Sequence, residues 1–258
     1  MPRKILTAAA AALIFVSQGC SFLHWGGSAS SPAPVPQAED LFKQGEGALA
    51  KGNYDEARQK YTSIRERDPE KSYDALVQVR LGDSYYEEAR YSEAEVEYRR
   101  FLEMHPHNKA AAYVLYQIGM CSFKQMDAPD RDPSFGVNAM EVFTRLQKEY
   151  PNNPYQDEAK EKLRLAKANV AGHELSVGRY YYKNGDYKTA VKRLQAVLDN
   201  YRGGSTDPEV LYLLADSQIR NKEYDAAKST LSILYQDYPN NEYALKAKKK
   251  LAGHLSVK

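Results

Sequence analysis

The sequence predicts an all-α fold, a right-handed superhelical stack of about five tetratricopeptide-type helix pairs closed by a short C-terminal helix. Three observations carry this. Short pieces recur along the chain, Tyr54-Asp-Glu-Ala57, Tyr91-Ser-Glu-Ala94, Tyr187-Lys-Thr-Ala190 and Tyr224-Asp-Ala-Ala227, and such internal repetition marks stacked helical units. With the alanines in register, Gly45, Gly82 and Gly178 each fall 12 residues before one, and Pro69, Pro106 and Pro239 each fall 12 after. The small residue lets two helix backbones approach, and the proline stops the second helix. Finally, 43% of the 258 residues are hydrophobic and 27% charged, a balance that buries a real core.

The first pair is expected over about 38–71, with Lys51-Gly52-Asn53 supplying a left-handed cap between its helices. The second covers about 74–108. The third, about 110–153, breaks the spacing, because Gly119 precedes its partner Ala139 by 20 residues. The extra residues fall near Met126-Asp-Ala-Pro-Asp-Arg-Asp-Pro-Ser134, which reads as a loop on one edge of the stack. The fourth pair, about 157–203, opens with an extended helix that places Leu163, Ala166, Val170 and Leu175 near one face, and turns at Asn184-Gly185-Asp186. The fifth covers about 207–241. A last helix from Tyr243 to Leu255 offers Lys246, Lys248, Lys249 and Lys250 as the polar outer face that a terminal repeat needs. A large residue four after each alanine (Tyr61, Tyr98, Phe143, Leu194, Leu231) is expected to fill the groove to the neighbouring repeat.

Ahead of the repeats, Met1-Pro-Arg3-Lys4 leads into the apolar run Ile5 to Val16 and then Ser17-Gln18-Gly19-Cys20. A basic start, a short apolar segment and a small residue before the cut make residues 1–19 an export signal, and the segment is too short to span a bilayer comfortably. A cysteine placed directly after it resembles the bacterial lipoprotein signal, although Ser17 stands where such signals usually carry Leu. Cys20 is thus the predicted lipidation site, and its covalent lipid the one attached group expected. Ser21 in place of Asp favours the outer membrane. Residues 20–37, rich in Gly, Ser, Ala and Pro, read as a flexible tether, in which Trp25 is incidental.

Removing Arg3 and Lys4 from the 36 basic residues leaves 34, against 34 acidic ones, so nothing points to nucleic acid. Two cysteines in unlike contexts argue against a disulfide framework, and Cys121 reads as a buried, inert thiol. The histidines have no metal-like spacing, and His173-Glu174 lacks the second His of a zinc-protease helix. No catalytic, metal or cofactor site is expected, and the chain reads as a binding protein.

Positions on the first helix of each pair that point away from the second line a concave groove in such stacks. Here they are Phe42, Val79, Tyr86, Tyr113, Tyr116 and Phe123, followed by Leu175, Arg179, Tyr182 and Tyr212. Aromatic side chains give large contact area at low entropic cost, which suits an extended or helical peptide. Tyr61, Tyr85, Tyr98 and Tyr181 are assigned to the core.

From Gln37 to about Ala252 the chain resembles the BamD lipoproteins of the outer-membrane β-barrel assembly machinery. The resemblance is most specific at Arg131-Asp132, at Tyr150-Pro-Asn-Asn-Pro-Tyr155 and in the run His173-Glu-Leu-Ser-Val-Gly-Arg-Tyr-Tyr181. It implies a non-enzymatic subunit, lipid-anchored at the periplasmic face of the outer membrane. Its partners would be the barrel insertase, held through that protein's periplasmic repeat domains, other assembly lipoproteins, and unfolded barrel precursors. The C-terminal repeats would contact the insertase and the N-terminal ones the precursors, with Tyr86 and Tyr116 contributing. The alternatives fit less well. A periplasmic adaptor in cell division or peptidoglycan coordination more often has a coiled-coil N-terminus and no lipid cysteine, and an enzyme accessory arm needs a catalytic domain beyond Leu251–Lys258.

Overall fold

The computed structural model describes residues 37–68, 71–251 and 253. The predicted signal, Cys20, nearly all of the tether, Pro69 and residues 254–258 lie outside the described residues. Eleven α-helices are present and no strand among the described residues: α1 Ala38–Ala50, α2 Tyr54–Arg67, α3 Asp74–Glu87, α4 Tyr91–Met104, α5 Ala111–Lys124, α6 Ser134–Glu149, α7 Gln156–Lys183, α8 Tyr187–Tyr201, α9 Asp207–Arg220, α10 Tyr224–Asp237 and α11 Glu242–Lys250. Each helix from α1 to α10 packs on the next in sequence, and α11 closes on α9 and α10. Five helix pairs and a closing helix are what the repeats predict.

The turn between the helices of a pair needs a residue in the left-handed region. Gly52 (φ 76°) and Gly185 (φ 77°) supply it in the first and fourth pairs, as their sequence motifs require. Ala89 (φ 60°) and Lys222 (φ 64°) take the same conformation in the second and fifth, where no glycine signals it.

The small-residue register explains why the helices of a pair lie so close. A Cβ placed on Gly45 would come within 2.5 Å of the Tyr61 ring, on Gly82 within 2.5 Å of Tyr98, on Gly119 within 2.6 Å of Phe143 and on Gly178 within 2.7 Å of Leu194. In the first four pairs the large residue four after the alanine therefore sits over the glycine of its own pair, a contact that the spacing alone did not specify. The alanines themselves (Ala57, Ala94, Ala139, Ala190, Ala227) have no exposed surface. The third pair keeps this register despite its longer turn.

The extended helix of the fourth repeat proves to be one continuous helix of 28 residues. Ala159, Leu163 and Ala166 enter a core shared with α3 to α6, whereas Ala171 and Leu175 enter a second core built from α7 to Leu251. At 3.6 residues per turn the second set is rotated by roughly 120° around the helix from the first. One helix thus offers two faces in succession, and it divides the stack into an N-terminal and a C-terminal lobe. A smaller cluster around Leu41, Tyr61 and Leu81 fills the first pair. The final helix is continuous to Lys250, and the side chain of Leu251 is buried in the second core; the rest of the expected stretch to Leu255 lies, apart from Gly253, outside the described residues.

Candidate partner-binding face

The residue that follows the register glycine or alanine is charged in four of the five pairs: Glu46, Asp83, Arg179 and Asp216. Each side chain reaches an adjacent repeat. Glu46 Oε1 accepts from Tyr61 Oη at 2.6 Å and lies 2.9 Å from Arg80 Nε of the second pair. Arg80 Nη1 donates to Asp83 Oδ2 at 2.8 Å. Asp83 Oδ1 accepts from Tyr98 at 2.7 Å and from Tyr113 of the third pair, also at 2.7 Å. A polar ladder thus runs across the first three repeats, and Asp83, only 6% exposed, is its most buried rung. A buried carboxylate of this kind is tolerated because each oxygen is satisfied. Further along, Arg179 Nε and Nη2 donate to Glu209 Oε1 at 2.9 and 2.7 Å, and Tyr182 donates to Asp216, which also accepts from Arg220. Sequence reasoning missed Glu46, Arg80 and Asp83; the recurrent charge after the register glycine was the legible signal.

Against this ladder the predicted groove residues divide. Val79, Tyr116, Leu175 and Tyr212 are buried within the cores. They are corrected from open lining to packing, because the next helix of the stack covers them. Tyr116 stacks on Tyr155 at the head of α7, with ring centroids 4.9 Å apart. Burial, and then a hydrogen bond to Glu158, pushes its phenol well above the ordinary range. Tyr212 lies beneath α11, with Lys246 Nζ 4.6 Å from its ring centre. Tyr113 is held by Asp83 and Tyr155, Tyr182 by Asp216, and Arg179 by Glu209. Phe42, Tyr86 and Phe123 remain half-buried, with an edge to the surface. Phe42 leans on Tyr61 and Tyr73, Tyr86 meets Tyr91 edge-on at 5.3 Å, and Lys162 lies over Phe123 at 5.1 Å. Burial pushes the Tyr86 phenol up to about 12.

On another side of the stack a cleft of about 580 Å³ opens between α6 and α8 with α7 as its floor, lined by Met140, Arg145, Lys148, Lys167, Asn200 and Tyr201 among others. Among the described residues no group of three or more His, Cys, Asp or Glu is placed to hold a metal ion, and no helix is long and apolar enough to cross a membrane. Cys121 is fully buried, and that burial pushes its thiol up to about 12.

Helix pairs joined by close small-residue packing and locked to their neighbours by side chains on the first helix define a tetratricopeptide-repeat scaffold, and a tetratricopeptide-repeat model matches residues 209–241. The model of the outer membrane lipoprotein family YfiO matches residues 35–217, and the chain belongs to that family. The outer membrane protein assembly factor BamD of Caulobacter vibrioides is 27% identical over 248 residues, covering 95% of this chain and 80% of the relative. Its counterpart in Rickettsia prowazekii is 27% identical over 203 residues, covering 79% and 81%, and that of Neisseria gonorrhoeae is 25% identical over 230, covering 84% and 86%. Among solved structures, the complex of the TPR2AB domain of yeast Sti1 aligns at 17% identity and a TM-score of 0.42, covering 80% of each chain.

Proposed function

We propose that this protein is an outer membrane assembly factor, a non-enzymatic scaffold subunit that holds a β-barrel insertase and receives unfolded barrel precursors. What carries the reading is the 27% identity over 248 residues with an outer membrane protein assembly factor, spread along nearly the whole chain. The polar ladder supports it physically. A stack whose first helices are cross-linked by partly buried hydrogen bonds and ion pairs presents a preformed face, which lowers the entropic cost of capturing a flexible chain. On that face Phe42, Tyr86 and Phe123 offer aromatic edges to an extended precursor segment, and the C-terminal lobe engages the periplasmic repeat domains of the insertase. Acyl chains on Cys20, following the export signal, anchor the protein at the periplasmic face, since more than one chain gives stable attachment.

The test is a mild-detergent pull-down of the tagged full-length protein from its native envelope, with co-purifying proteins and the mature N-terminal peptide read by mass spectrometry. Stoichiometric recovery of a barrel protein bearing periplasmic repeat domains, with an acylated Cys20, is expected. Recovery of division or peptidoglycan proteins in its place overturns the function and leaves the fold standing.

A further inference from the structure

The loop from Met126 to Ser134 does not hang free at the edge of the stack. It leaves α5, enters α6 and on the way crosses the middle of α7. Asn169 Nδ2 donates to the carbonyl of Asp127 at 2.8 Å, and His173 Nδ1 lies 3.1 Å from the carbonyl of Pro129, a contact that requires the proton on that nitrogen. Between these two ties the Pro129 ring lies on Gly172, where an added Cβ would come within 2.9 Å of it. At its far end the loop is fixed by Asp132 Oδ1, which accepts from Ser134 N and Ser134 Oγ at 2.9 and 2.6 Å as α6 begins. Just inside α6, Gly136 lies against Asn169 and Val170.

The place of this contact on α7 matters. Ala166 closes the part that α7 plays in the N-terminal core cluster, the buried Val170 still packs on Gly136 of α6 one turn later, and Ala171 is the first residue that α7 gives to the C-terminal core. The loop, an extension of the N-terminal lobe, grips α7 at and just past that crossing. Its seat at Asn169, Gly172 and His173 lies roughly 140° around the helix from Arg164, Lys167, Ala168 and Ala171. All four line a smaller cavity against the turn after α8, and Lys167, together with Tyr201, also borders the cleft between α6 and α8. A tie on one side of a helix and a gap between lobes on the other is the arrangement of a hinge with a stay.

We propose that residues 126–134 form a strap that sets the orientation of the two lobes about the middle of α7 and so the width of the cleft opposite. His173, Gly172 and Asn169 are its positioning residues. This gives a role to the eight additional residues in the third turn and to the start of the His173–Tyr181 run. It stands independently of the proposed function: any partner that touches both lobes meets them at the angle the strap holds.

The experiment is a distance measurement by double electron–electron resonance on the full chain. Spin labels are attached through ketone-bearing amino acids at Glu103 and Lys228, exposed on α4 and α10, so that both cysteines stay untouched. Asn169→Ala combined with His173→Ala is expected to broaden the distance distribution and shift its mean by several ångströms. Gly172→Val, which ejects Pro129, does the same. His173→Asn, whose amide N–H reaches the same carbonyl, restores the parent distribution. Hydrogen exchange across residues 126–134 verifies that the strap has been released. An unchanged distribution in both releasing variants, with exchange accelerated, overturns the proposal. So does loss of helical circular dichroism in both, because a strap that acts on orientation alone leaves each core folded.

Discussion

The two lobes are built on one repeat register but filled differently. In the N-terminal lobe an aromatic ring (Tyr61, Tyr98, Phe143) covers each register glycine, and the two tyrosines donate their hydroxyls to the carboxylates that follow those glycines. In the C-terminal lobe Leu194, which has no hydroxyl, covers Gly178, and the buried Asp216 takes its tyrosine from the neighbouring pair, Tyr182, rather than from its own. A ring whose hydroxyl is tied to a carboxylate, as Tyr61 is to Glu46 and Tyr98 to the buried Asp83, is harder to move aside than an aliphatic chain. The N-terminal lobe should therefore tolerate change less well at equivalent positions.

The largest expected effect comes from its central rung. Asp83→Ala takes the acceptor from the hydroxyls of Tyr98 and Tyr113, leaves Arg80 with Glu46 alone, and should cost about 3 kcal/mol, the range for breaking a buried charge cluster. Asp216→Ala, at a matching and equally buried position that has two partners, one of them the half-exposed Arg220, should cost less, about 2 kcal/mol. Urea unfolding of the two variants checks the contrast, and equal losses would break it.

Next come the glycines. Gly82→Ala drives a Cβ against a Tyr98 ring held at its hydroxyl and should cost about 2 kcal/mol net of the better helix propensity of alanine. At Gly178 the clash is with Leu194, buried but not tied by a hydroxyl, so Gly178→Ala should cost less, about 1 kcal/mol.

The phenols sharpen the comparison through pH. Tyr86 has its pKa raised from 10.0 to about 12, chiefly by burial, so the folded state holds that proton more tightly than the unfolded chain does. Its contribution is full below pH 10 and is lost as the pH rises through about 12. Stability should fall across that window, and Tyr86→Phe should flatten the decline in a pH series of denaturation midpoints. The same variant should weaken capture of a synthetic barrel-strand peptide. A control Tyr180→Phe, at a tyrosine 63% exposed, should leave both readings unchanged.

The smallest effect is a gain. Ala89 and Lys222 hold left-handed conformations that Gly52 and Gly185 hold without strain, so Ala89→Gly or Lys222→Gly should stabilise by about 1 kcal/mol. A thermal melt that moves down would show that the turns carry no such strain.

Much of this architecture was legible because a repeat states its own rule several times. The spacing of Gly82, Ala94 and Pro106 located a helix pair without any knowledge of what it touches. Gly119 and Ala139 located another across an irregular turn. The candidate face was less legible. Phe42, Tyr86 and Tyr116 look alike in sequence, all at outward positions of a first helix. Whether such a residue stays open depends on what the following helix brings: Tyr155 covers Tyr116, whereas Tyr86 keeps an edge at the surface beside Tyr91.

By itself the sequence determined the helix pairs, their register, the place of the long turn and the extended helix α7, because these follow from local spacing, small-residue contacts and chain breakers. Only the tertiary structure decided which large residue covers which glycine and that Asp83 serves three partners. It alone showed that α7 changes face between two cores and that the third turn lies across that change. Apart from the Arg80–Asp83 pair, those are contacts between residues 15 to 44 positions apart. Their pairing depends on how neighbouring helices stack, which no local pattern along the chain encodes.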